Sequence, residues 1–67
     1  MKEVDNMIKI RFNKGNITES YYIEGRIVEF YMNEEMESYY NVKNESEGLK
    51  EILNKNKAYE IDMIEIN

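Results

Sequence analysis

Apolar side chains recur at every second position through most of this chain, and that period constrains the fold more than any other feature. Over residues 7–12, Ile8, Ile10 and Phe12 fall on one side while Lys9 and Arg11 fall on the other. That is the pattern of a half-buried strand. Asn13-Lys14-Gly15-Asn16 follows, with a glycine available for a positive φ, so a hairpin is expected.

The stretch 17–33 is rich in β-branched and aromatic residues, which suit a pleated surface. It divides into a strand 17–23, a tight turn at Glu24-Gly25 and a strand 26–32. One continuous bent strand with Gly25 at a bulge is the competing arrangement. Asn33-Glu34-Glu35 then reads as a turn and 36–43 as a further strand. A helix also competes here, because Val28, Met32, Met36 and Tyr39 share a helical face. Tyr21-Tyr22-Ile23, Ile27-Val28 and Tyr39-Tyr40 favour strands instead.

Asn44-Glu45-Ser46-Glu47 has the form of a helix start, with Asn44 as cap and Glu47 three residues on. Leu49, Ile52 and Leu53 form one apolar stripe, and Asn54-Lys55-Asn56-Lys57 supplies cations and a left-handed asparagine cap for the end. A helix of about three turns needs the sheet for stability. In 58–66, Tyr59, Ile61 and Met63 alternate with Glu60 and Asp62, a last strand that is central or paired on at least one side. The fold expected is therefore α+β, a mostly antiparallel sheet of four to five strands with one short helix packed on one face. The order is β-β-β-β-α-β in a single domain, 1–67.

With 67 residues, such a domain buries only about 60% of the surface its unfolded chain exposes. There is no cysteine and no histidine, which excludes disulfides, thiolate metal sites and a cysteine nucleophile. Small scaffolds gain stability from a staple, a metal or a second copy. Self-association into a homodimer is the readiest of these for this chain. No apolar run approaches the roughly 18 residues of a membrane span. The first six residues are charged, with no apolar stretch behind them, so no signal peptide and a cytoplasmic location are expected. Heavy use of Ile, Asn, Lys, Glu and Tyr points to a low-GC bacterial host, its phage or its plasmid.

Catalysis is not expected. Acid–base chemistry near neutral pH usually recruits histidine. A carboxylate pair could replace it only with pKa values driven apart by burial, and Glu34-Glu35 lie in an exposed turn. The three glycines are isolated, so there is no phosphate loop, and no carboxylates have EF-hand spacing. Alternation places Glu65 opposite Glu60 and Asp62, which separates the one imaginable metal set. No cofactor is expected.

Following the alternation, the core face takes Ile8, Ile10, Phe12, Ile17, Tyr21, Ile23, Val28, Phe30, Met32, Met36, Tyr40, Val42, Tyr59, Ile61 and Met63. The other face takes Tyr22, Glu24, Glu29, Tyr31, Glu37, Tyr39, Glu60 and Asp62. The net charge is −5, and residues 27–47 hold six glutamates against Lys43 alone. A solvated sheet face accounts for the carboxylates. The tyrosines add large, stiff apolar bodies with polar tips, the residues that interfaces favour. Tyr22, Glu29, Tyr31, Glu34, Glu35, Glu37, Tyr39, Glu60 and Asp62 are thus the candidate contacts for a protein partner with a basic surface. The acidity argues against nucleic acid and membranes as partners. Three other readings compete. In one, the three tyrosines stack bases. In another, Lys9, Arg11, Lys14 and Arg26 near the first hairpin touch nucleic acid. In the third, an edge strand adds to a partner's sheet or to a second copy.

At class level the chain resembles the small acidic proteins that phages use against bacterial defence systems, such as anti-CRISPR inhibitors. The resemblance rests on size, acidity, the absence of cysteine and of catalytic residues, and low-GC residue usage. It implies a stoichiometric inhibitor that blocks the nucleic-acid channel of a nuclease, with Glu29, Glu34, Glu35 and Glu37 at the contact.

Overall fold

Three two-residue turns set the sheet. They join β1 (Met7–Lys14) to β2 (Ile17–Glu24), β2 to β3 (Ile27–Met32) and β3 to β4 (Glu35–Asn41). In this computed structural model, residues 7–67 are described. The charged segment 1–6, read above for a signal peptide, lies outside them. Gly15 and Gly25 open the first two turns with φ of 77° and 63°, the positive value that a glycine-first hairpin turn requires. The third turn, Asn33-Glu34, has φ of 50° and 71°. Positive φ at both central residues is the type I′ pattern, whose twist matches that of the strands. Asparagine tolerates this region well, and glutamate does not. Thr18 holds the turn in place: its N–H donates to Asn33 Oδ1 at 2.9 Å, and its carbonyl accepts from Asn33 N–H at 2.7 Å.

After β4 come α1 (Glu45–Lys55) and β5 (Ile61–Ile66). All pairings are antiparallel, and the sheet order is β4-β3-β2-β1-β5. This is the expected α+β arrangement. The helical alternative for the middle region is overturned, since 27–32 and 35–41 are both strands and Gly25 lies in a turn. Among the described residues β5 is an edge strand, paired only with β1.

Asn44 caps α1 as expected, its Oδ1 accepting from Glu47 N–H at 2.8 Å. The helix lies over the central strands. Ile10, Ile23, Val28, Ile52 and Phe12 are almost completely buried there, with Tyr21, Ile8 and Val42 beside them and Leu49, Leu53, Phe30 and Tyr40 packed around. Each such apolar burial contributes about 1.5–3 kcal/mol. Gly48 permits the close approach, because a Cβ there would lie 3.1 Å from Val42 Cγ2. The helix ends differently from the expectation. Asn56 has φ of −114°, not a left-handed value. It closes the helix through a buried side chain, whose Nδ2 donates to the Ile52 carbonyl at 2.9 Å and to Tyr21 Oη at 3.4 Å.

Two bulges correct the expected faces. Between Phe30 and Tyr31 the register against β4 slips by one, so Tyr31 pairs with Met36 and Glu37 is the extra residue. Met36 therefore leaves the core face and is 47% exposed. A second slip at Arg11/Phe12 makes Asp62 the extra residue of β5. Beyond it Ile64 and Ile66 take the helix-side face, and Met63 and Glu65 take the other. An extra residue inverts every later side chain of a strand. That is why strict alternation misplaces Met63 and Glu65. Tyr59 and Ile61 are also largely exposed, not core.

Candidate interaction face

The sheet face away from α1 is uncovered among the described residues. Two of the lateral rows that cross it carry most of the candidate side chains. In the first, Tyr39 on β4, Glu29 on β3, Tyr22 on β2, Lys9 on β1 and Glu65 on β5 stand side by side. In the second, Met36, Tyr31, Ser20, Arg11 and Met63 do the same. Directly opposed side chains in an antiparallel pair lie about 4.5–5.5 Å apart and interact.

These neighbours hold one another. The Tyr22 and Tyr31 rings meet edge-on with centroids 5.0 Å apart. Lys9 Nζ lies 5.0 Å from the Tyr22 ring centroid, and the electron-rich face of the ring attracts it. The Tyr31 hydroxyl donates to Glu29 Oε1 at 3.1 Å, and this bond to a carboxylate is the main cause of a raised Tyr31 pKa. Arg11 Nε donates to Asp62 Oδ2 at 2.7 Å. Ser20 is the smallest member of its row. Above it opens a depression of about 290 Å³ lined by Lys9, Arg11, Ser20, Tyr22, Tyr31 and Glu34.

The candidate residues therefore separate. Tyr22, Glu29, Tyr31 and Tyr39 come together on one face, with Glu34 at the rim of the depression. Asp62 reaches the same face from its bulge, paired with Arg11. Glu37 is the bulged residue of the β4 edge. Glu35 pairs with Met32 and so belongs to the helix-side register. Glu60 is exposed just before β5. The face is also less uniformly acidic than alternation implied. Lys9 and Arg11 stand in its middle, and Glu65 joins it on the far side of Lys9. Sequence reasoning assigned these two cations to the outward side of β1 but did not set them beside the tyrosines, because neighbouring strands can be ordered only from the fold. Lys14 and Arg26 do not join them. Lys14 pairs with Glu19 at 2.7 Å on the helix side and lies 4.3 Å from the Tyr59 ring, and Arg26 is in the β2–β3 turn.

Among the described residues no three His, Cys, Asp or Glu side chains cluster to hold a metal, and no helix is long and apolar enough to cross a membrane. The chain matches no family model, no curated protein and no solved structure.

Proposed function

We propose that this protein is a non-catalytic binding module that engages a protein partner with a basic surface through the β2–β3–β4 part of its uncovered face. The observation that carries this reading is the Tyr39–Glu29–Tyr22 row. Tyr39 is 70% exposed at the end of that row, with a carboxylate beside it. A large aromatic body left open next to a carboxylate suits an arginine or lysine, which can pair with the acid and lie over the ring. The edge-on pair Tyr22 and Tyr31 behind it, with Tyr31 bonded to Glu29, stiffens the platform, so little side-chain freedom is lost on binding.

Glu34 supports the same reading. It occupies a left-handed turn position where glycine is the favoured residue. Strained backbone of this kind clusters at ligand clamps and switch regions. Lys9 and Arg11 would repel a uniformly basic partner from the β1 side, which fixes the register of docking as well as its sign. A partner whose cationic groups normally bind nucleic acid, such as a nuclease of a bacterial defence system, fits this charge pattern. The protein would then act as a stoichiometric inhibitor. A homodimer, expected from the small core, would use the β5 edge and leave this face free.

The test is affinity capture from a low-GC bacterial host with tagged protein, run beside Tyr39→Ala and Glu29→Lys. A basic protein retained by the wild type, lost with both variants and released by raised salt is the expected result. Retention by both variants, or an oligonucleotide shifted by the purified protein at low salt, would refute the reading.

A further inference from the structure

The β5 edge is unlike the β4 edge. Each edge carries two carboxylates, Glu35 and Glu37 on β4 and Asp62 and Glu65 on β5, but β4 has no row of exposed aliphatic side chains. β5 instead presents three isoleucines on its helix-side face, Ile61, Ile64 and Ile66, exposed by 46%, 49% and 68%. They continue the core rows of Phe12, Ile10 and Ile8 outward, but α1 does not reach over them.

The backbone indicates what would cover them. Asn67 N–H donates to the Met7 carbonyl at 2.9 Å, so it points toward β1. Backbone groups alternate direction along an antiparallel strand. Glu65 therefore also points toward β1, while Ile64 and Ile66 turn their N–H and C=O groups to the edge that is unpaired among the described residues. A strand with outward bonding groups at Ile64 can pair with itself about a two-fold axis at that residue. In this register Ile64 opposes the partner's Ile64, and Ile66 opposes the bulged Asp62 of the partner. Glu65 meets the partner's Met63, so no carboxylate faces another across the junction. The Ile10–Ile64 core row then runs unbroken through both copies.

We infer that the protein forms a homodimer by antiparallel β5–β5 pairing centred on Ile64, which joins two five-stranded sheets into one. This fixes the surface and register of the self-association named above. It stands apart from the open-face reading, and a solution monomer would overturn it without touching that reading.

Sedimentation of the full chain across a concentration series should give about twice the 8.1 kDa monomer mass, and Ile64→Lys should restore the monomer mass with an unchanged far-UV spectrum. The register has its own test, since the chain has no cysteine. A hydrogen-bonded antiparallel pair has Cα atoms about 5.5 Å apart, within disulfide range. With air oxygen as oxidant, Ile64→Cys should cross-link to a covalent dimer, whereas Ile66→Cys should not, because its copies would lie about 13 Å apart at 3.3 Å per residue. A wild-type monomer at every concentration would overturn the inference. Equal cross-linking of the two cysteine variants would overturn it as well. So would a dimer that appears only after deletion of residues 1–6, since that would mean the chain's own segment fills the edge.

Discussion

The Tyr31 hydroxyl donates to Glu29 Oε1 at 3.1 Å on the uncovered face, two residues along the same strand. The carboxylate favours the protonated phenol through this bond and then through its charge, and holds the Tyr31 pKa above the ordinary 10.0. The neutral form is therefore favoured by the folded chain. The associated stability is fully present below pH 10.0 and is lost as pH rises through the higher folded value. Glu29→Gln should move one tyrosine to an earlier midpoint in a tyrosinate absorbance titration. Tyr40, raised mainly by its own burial, should stay late in both proteins. If the two titrations superimpose, the bond does not hold in solution.

Asn56 is 2% exposed, and its amide joins the end of α1 to the Tyr21 hydroxyl in the core. Asn56→Ala removes both bonds and opens a small void under the helix. It should cost about 1–3 kcal/mol. Tyr21→Phe removes only the long 3.4 Å contact and should cost at most about 1 kcal/mol. Urea unfolding of the two variants orders them. A larger loss for Tyr21→Phe would contradict this view of the helix end.

Glu34 has φ of 71° in the β3–β4 turn. A left-handed conformation costs an L-residue roughly 1–2 kcal/mol, and glycine avoids that cost. Glu34→Gly creates the Asn-Gly pair that type I′ turns prefer, and should raise stability by about 1 kcal/mol. For a chain of this size that is a rise of about 4–8 °C in Tm by calorimetry. The same variant should weaken the proposed partner contact, so stability and binding should move in opposite directions. A fall in Tm would show that the glutamate side chain contributes more than the strain removes.

What the sequence by itself determined is local. The period-two pattern of Ile8, Ile10 and Phe12 against Lys9 and Arg11, the turn glycines at 15 and 25, and the Asn44 cap are each fixed within a few residues, and all hold in the structure. Tyr22, Glu29 and Tyr31 were legible as one outward set for the same reason, since β2 and β3 pair in simple register. The tertiary structure decided the rest. A bulge depends on what the neighbouring strand can pair with, so the extra residues at Glu37 and Asp62, and the reversal of Met36, Met63 and Glu65, leave no trace in the alternation itself. The order of the strands set Lys9 between Tyr22 and Glu65, and anchored Arg11 on Asp62, 51 residues away. The reach of one short helix decided that Ile61, Ile64 and Ile66 would stay exposed. Their apolar character was plain from the sequence, but whether anything covers an apolar stripe depends on where the helix can sit, and here it sits over the central strands.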